Sequence, residues 1–162
     1  MQWHCFSWRN KTVKAIKKFS EFIKLGIVKK QTPDISRAEF LIKESAQNRA
    51  FLLNIMKKIG ITDENANSIV KLCYDVLMEI IRAKMILEGY SASGLGAHEA
   101  EVSYLRVLAF SENDVQFVDQ IRFFRNGMLY YGTILDKEYA EKVLNFINKI
   151  YSKLKELVNS KN

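Results

Sequence analysis

Apolar residues recur every three or four positions along most of this chain, which is the spacing of an amphipathic α-helix. Strict alternation of apolar and polar residues, the pattern of a half-buried strand, is not found in any segment. The pattern therefore predicts an all-α fold with four main helices, one short helix and one lysine-rich helix in front of them. The four main helices are predicted over residues 36–60, 61–90, 111–132 and 136–160. The short helix is predicted over 98–110 and the lysine-rich helix over 12–30.

Capping residues support several of these boundaries. Ser111 stands where an N-cap is expected, just ahead of Glu112 and Asp114 in the first helical turn, and Asp136 is the predicted N-cap of the last helix. Thr62 or Asp63 is the predicted N-cap of the second long helix. The Gly- and Ser-rich stretch 89–97 follows that helix and is the longest predicted internal loop.

The formal net charge of +7 is concentrated at one end of the chain. Residues 1–30 hold eight basic residues and one acidic residue and so carry +7 alone, while the rest carry 17 residues of each sign. With Pro33 in the clearest linker, we predict a basic N-terminal arm with an amphipathic helix at 1–33 and a helical bundle domain at 34–162. The lysines either bind an anionic surface or nucleic acid, or keep a packed helix soluble.

Composition excludes several kinds of chemistry. Cys5 and Cys73 have neither a disulfide framework nor metal-ligand spacing, so we expect a reducing, cytoplasmic compartment. The only histidines, His4 and His98, cannot make a His-rich metal site, and no phosphate loop with its lysine is present, so neither metal nor cofactor is predicted. No apolar run approaches the ~20 residues of a membrane helix, so no membrane insertion is expected.

The stretch RFFRNGMLYYG, residues 122–132, contains the candidate site. Arg122, Asn126 and Tyr130 share one helical face, and Arg125 is close enough to join it. Arginine is a natural phosphate ligand, asparagine can hold a phosphate or a base edge, and Tyr130 or Tyr131 can stack on a base. These residue types therefore indicate a site for a nucleotide or RNA.

The same stretch also allows a purely structural interpretation. Its arginines would then pair with acids such as Asp119 or Glu101, and the helix would simply end at Gly132. Gly127 costs about 1 kcal/mol relative to alanine in mid-helix. We therefore expect some part of the structure, such as a second helix, to approach the backbone closely there.

The segments GAHEAEVSYLRVLAFSENDV and VDQIRFFRNGMLYYGTILDKEYAEKVLNFINKIYSKLKEL resemble the C-terminal half of a HEPN (higher eukaryotes and prokaryotes nucleotide-binding) domain. Over residues 34–158 the resemblance implies an up-and-down four-helix bundle that forms a homodimer. The family motif is an arginine, often followed by asparagine, with a histidine a few residues later. Arg125 and Asn126 match its start, whereas Tyr130, followed by Tyr131, stands where active members have histidine.

The resemblance implies that nucleotide or RNA binds in a cleft at the dimer interface, through Arg122, Arg125, Asn126, Tyr130 and Tyr131. Active members of the family cleave RNA without a metal ion, which would make Arg125 and Tyr130 the catalytic pair of an endoribonuclease. Tyrosine has an ordinary pKa of about 10 and is a poor base at neutral pH, so binding is implied more strongly than cleavage. A toxin-type partnership with a small nucleotidyltransferase is also implied.

The sequence leaves two alternatives open. His98 follows the Gly-rich loop at a helix start, where it either caps and packs or reaches the cleft of Arg125 and supplies the missing base. The chain as a whole is either the binding protein described above or a non-catalytic helical protein–protein interaction module.

Overall fold

The computed structural model describes residues 15–160, except for the side chains of residues 129–131. Within that range the chain is mainly helical, which confirms the predicted all-α class, and its helices share one main hydrophobic core. The helices are α1 (Phe19–Lys24), α2 (Ile35–Lys58), α3 (Ala66–Leu87), α4 (Ala97–Val107), α5 (Glu112–Tyr131) and α6 (Lys137–Asn159). In residues 15–160 no helix has the length and apolar character needed to span a membrane.

Helix α3 lies at the centre and packs against α2, α4, α5 and α6. Most of its residues are buried, as expected for a helix that is apolar on nearly all sides. Helix α2 packs against it through a narrow stripe of Ala38, Ser45 and Leu52, each seven residues from the next. The Ser45 hydroxyl is fully buried and donates to the Val76 carbonyl at 2.7 Å, so the small side chains on this stripe allow close helix contact.

Residues 15–160 also form a small two-stranded sheet, which contradicts the expectation that the chain has no strands. Strand β1 (Val28–Lys30) pairs antiparallel with β2 (Tyr90–Ala92), with Val28 opposite Ala92 and Lys30 opposite Tyr90. A strand of three residues is too short to show alternation. Its partner also lies 60 to 64 positions along the chain, beyond the reach of any local pattern.

The prediction of one lysine-rich helix over 12–30 is wrong for most of residues 15–30, the part of this segment that the structure describes. Helix α1 is only six residues long, and the chain turns at Gly26, which has φ 70°, before entering β1. Glycine tolerates this left-handed conformation at little cost, so the helix stops there. The part of the predicted helix before residue 15 lies outside the described residues.

The segment from Ile16 to Val28 packs into the main core. Arg106 of α4 donates to the carbonyls of Ile16 at 3.2 Å and Lys17 at 3.0 Å. Phe19 contacts the ring of Tyr104 with centroids 4.8 Å apart. These contacts hold the segment against α4. The boundary between the predicted arm (1–33) and the predicted helical domain (34–162) stays a prediction. The buried apolar side chains of the segment are Ile16, Phe19, Phe22 and Val28.

The predicted N-caps of the last two helices are confirmed. Ser111 forms a capping box with Asp114, and the Asp136 carboxylate accepts from the Tyr139 N–H at 2.8 Å. The predicted start of α3 is wrong, because Asn65 rather than Thr62 or Asp63 precedes its first residue. The Asp63 carboxylate instead accepts from the Lys137 N–H of α6 at 2.8 Å.

Candidate functional site

An open cleft of about 350 Å³ lies where α2, α3, α4 and α5 meet. We call it the Tyr74 cleft, because Tyr74 of α3 contacts both the histidine and the arginine described below. Apolar surface within it comes from Leu72 and Met78. Its polar lining consists of Asn48, Asp75, Glu79, Arg82, His98 and Arg125.

Helix α3 supplies most of this lining. Asp75, Glu79 and Arg82 occur three or four residues apart, on one face of an otherwise apolar helix. Sequence reasoning concentrated on residues 122–132 and missed this face. Asp75, Glu79 and Arg82 interrupt the apolar pattern of α3 at helical spacing. This interruption is the sequence feature that could have revealed the polar face.

His98 lies at the first turn of α4 with its side chain 53% exposed. Its Nδ1 lies 3.5 Å from the Tyr74 hydroxyl and 3.5 Å from Oε2 of Glu101. Arg82 holds that carboxylate through Nε and Nη2, which donate to its two oxygens at 2.7 and 2.8 Å. Because Nδ1 faces Glu101 and Tyr74, Nε2 is the ring nitrogen left to meet a ligand.

Arg125 reaches the same cleft from α5. Its guanidinium carbon lies 5.6 Å from the centroid of the Tyr74 ring, within the range of a cation–π contact. Nη2 lies 3.8 Å from Oδ1 of Asp75, which is too long for a hydrogen bond. The structure therefore brings His98 and Arg125 to the same tyrosine and the same cleft, as one of the sequence alternatives proposed for His98.

Two of the other predicted site residues, Arg122 and Asn126, do not line this cleft. Arg122 donates through Nε to Asp119 of its own helix at 2.6 Å, and that carboxylate is buried. Asn126 is half-buried on α5 and is not among the residues that line the cleft. The side chains of Tyr130 and Tyr131 lie outside the described residues, so their roles stay predictions.

Gly127 has a neighbour in its own chain. A Cβ at this position would lie 2.7 Å from Oγ1 of Thr133, and the Thr133 N–H donates to the Gly127 carbonyl at 3.3 Å. Gly132, with φ 64°, ends the helix in the left-handed conformation. The close approach predicted at Gly127 therefore comes from the connection to α6, rather than from a second helix.

Burial controls ionisation around the cleft. It raises the pKa of the Tyr74 phenol, with the nearby Glu101 carboxylate acting in the same direction, so Tyr74 keeps its proton at neutral pH. Burial also raises the pKa of the Glu79 carboxyl, against the opposing effect of the hydrogen bond from Asn48. The neighbouring Cys73 thiol is buried and its pKa is raised to about 12, so it is not a nucleophile at neutral pH.

Within residues 15–160 no cluster of three or more His, Cys, Asp or Glu side chains is placed to hold a metal ion. Comparisons of the chain with protein-family models, with curated proteins and with solved structures found no match.

Proposed function

We propose that this protein is a HEPN-like homodimer that binds nucleotide or RNA in the Tyr74 cleft and cleaves RNA without a metal ion. The four long helices α2, α3, α5 and α6 supply the number of helices that an up-and-down bundle of this kind needs. Helix α4 is the extra short helix, and it carries His98. The proposal also includes a toxin-type partnership with a small nucleotidyltransferase, which the sequence resemblance implies.

The observation that carries the proposal is the meeting of His98 and Arg125 at Tyr74. Arginine holds a phosphate through several N–H donors and stabilises the negative charge that builds up as the phosphorus is attacked. An exposed imidazole nitrogen accepts a proton at neutral pH, as a general base must. The cleft therefore supplies both groups, although the helix that carries Arg125 lacks a histidine.

The reaction follows from these two groups. Nε2 of His98 takes the proton from a ribose 2′-hydroxyl while the 2′-oxygen forms a bond to the adjacent phosphorus. The bond from phosphorus to the 5′-oxygen breaks, and that oxygen takes a proton from water. The hydroxide that remains takes the proton from His98, which restores the neutral imidazole. Arg125 holds the phosphate oxygens throughout, and the products are a 2′,3′-cyclic phosphate and a 5′-hydroxyl.

Two exposed phenylalanines on one face of α2 support the homodimer. Phe40 and Phe51 of α2 are 60% and 59% exposed and lie eleven residues apart, close to three full turns of the helix. Phe51 is three residues from Asn48, which lines the cleft. A second copy covering this face would therefore stand beside the cleft and bury two aromatic rings.

RNA cleavage in the presence of a chelator tests the proposal. We expect His98→Gln and Arg125→Ala each to lower the cleavage rate by about 100-fold or more. Tyr130→Phe should retain most of the activity, because His98 rather than Tyr130 moves the proton. His98→Gln should still bind RNA.

Three results would count against the proposal. If the wild type shows neither cleavage nor a nucleotide-induced rise in melting temperature, the non-catalytic interaction module is the better interpretation. Loss of activity in Tyr130→Phe, together with full activity in His98→Gln, would show that Tyr130 rather than His98 has the catalytic role. Monomeric behaviour in light scattering at micromolar concentration would contradict the homodimer.

A further inference from the structure

Several charged groups in the Tyr74 cleft are already committed to protein partners. Arg82 is bound to both oxygens of Glu101. Both oxygens of Glu79 lie within hydrogen-bond distance of Nδ2 of Asn48, at 2.9 and 3.1 Å. A ligand that recruited any of these groups would first have to break a hydrogen bond inside the protein.

Asp75 differs from those groups. Its side chain is 48% exposed, and its ion pair with Arg125 spans 3.8 Å, beyond hydrogen-bond distance. The cleft thus presents one carboxylate that can accept and one guanidinium that can donate, side by side. A carboxylate accepts two parallel N–H bonds when the donor offers two adjacent N–H groups.

This arrangement disfavours a ligand that carries only negative charge. Asp75, with Glu79 one turn further along α3, repels a bare phosphate at the position where Arg125 attracts it. A ligand that also brings N–H donors converts the repulsive carboxylate into a hydrogen-bond acceptor. Leu72, half-buried and three residues before Asp75 on α3, provides apolar surface that a base can contact.

We infer that the cleft selects a guanine nucleotide, with Asp75 accepting from the N1–H and N2–H groups of the base. The inference rests on the proposed nucleotide site and assigns its base specificity. Among the common bases, guanine presents two adjacent N–H donors on its pairing edge, and single-stranded RNA exposes that edge. A cleft of about 350 Å³ is at the small end of ligand sites, of the order expected for one nucleotide unit.

Binding of guanosine and inosine 5′-monophosphates to the full-length protein tests the inference. Inosine monophosphate lacks the N2 amino group and is otherwise the same molecule, so it removes one of the two hydrogen bonds to Asp75. We expect the wild type to bind guanosine monophosphate about tenfold or more tightly, because a site built to accept an N–H rejects an analogue that lacks it.

Asp75→Asn provides the second arm. The variant should bind guanosine and inosine monophosphates about equally tightly, because the N2 amino group no longer meets a carboxylate. Glu39→Gln is the matched control, since it removes one exposed carboxylate from α2 at a position outside the cleft lining. It should leave the preference unchanged.

The outcomes separate this inference from the proposed function. Equal affinity of the wild type for the two nucleotides would overturn the guanine specificity and leave a nucleotide site in place. An undiminished preference in Asp75→Asn would remove Asp75 from the base contact. Absence of binding to both nucleotides would overturn the proposed function, on which the specificity depends.

Discussion

Gly127 shows how one residue without a side chain connects two helices. Alanine would form a better helix at this position, but its Cβ would meet Oγ1 of Thr133 at 2.7 Å. Thr133 lies there because the chain leaves α5 through Gly132 and turns back over the last turn of the helix. The glycine therefore makes room for the start of the connection to α6.

A double-mutant cycle on Gly127 and Thr133 checks this explanation. In a Thr133→Ala background we expect Gly127→Ala to raise the free energy of unfolding by about 0.5–1 kcal/mol, the gain expected from helix propensity. In the wild-type background the same substitution should gain less or destabilise, because Thr133 must move. Urea unfolding measures both effects, and equal values in the two backgrounds would contradict the contact.

His98 marks the limit of residue-level prediction at the site. Its side-chain chemistry is apparent from the sequence, but its position depends on the pairing of β2 with β1 and on the left-handed turns at Gly94 and Gly96. Those features join parts of the chain that local patterns treat separately. Arg125 was predicted as a site residue from its local sequence. Its contact with Tyr74 was not predicted, because it depends on how α5 packs against α3.

At the level of elements, the loop before α3 organises the loop before α6. Asp63 accepts from the Lys137 N–H, and Asn67 in the first turn of α3 binds two further backbone groups. Nδ2 of Asn67 donates to the Thr133 carbonyl at 3.0 Å, and its Oδ1 accepts from the Leu135 N–H at 2.9 Å. One asparagine thus replaces the backbone partners that this connection lacks.

Replacing Asn67 should therefore destabilise the protein through a loop distant in sequence. We expect Asn67→Ala to lower the free energy of unfolding by about 1–3 kcal/mol, because two partly buried backbone groups lose their partners. Asn54→Ala, at an exposed asparagine on α2, is the matched control and should change stability by about 0.5 kcal/mol or less. Chemical denaturation that shows equal effects for both variants would refute the role of Asn67.

The elements that sequence reasoning located were those with local determinants. Ser111 and Asp136 cap their helices through bonds to residues three positions away, so the sequence pattern identifies them. Asp63 has a similar local pattern, but its carboxylate is used by a helix 74 positions away. The start of α3 was misassigned because Thr62 and Asn65 exchange hydrogen bonds across a turn that precedes the helix. The strands were not predicted because each depends on a partner distant in sequence.

Across the whole molecule, basic charge is concentrated near the N-terminus. In the described part of that region, residues 15–30, five exposed lysines face a single acidic residue, Glu21. The same segment contributes buried residues to the main core, so these charges are displayed on a packed surface. The lysines are Lys17, Lys18, Lys24, Lys29 and Lys30.

Changing these five lysines to glutamine should weaken RNA binding mainly at low salt. Each lysine that neutralises a phosphate of a single strand should contribute about 0.7 to the slope of log affinity against log salt concentration, so its replacement should reduce the slope by that amount. The melting temperature should change little, because the side chains are exposed. The matched control replaces the five lysines of α6 and should leave the slope close to the wild-type value. Equal slopes in the wild type, the N-terminal lysine variant and the α6 control would exclude a role for the N-terminal lysines.

The small sheet has a consequence for the order in which the chain folds. β1 immediately precedes α2 and β2 immediately follows α3, so the two strands meet only when the two helices have folded back on each other. That helical hairpin brings the ends of the intervening segment together before the strand hydrogen bonds form. Residues 28–30 emerge early during synthesis but remain unpaired until residues 90–92 have been made, so we expect the sheet to form after the α2–α3 hairpin.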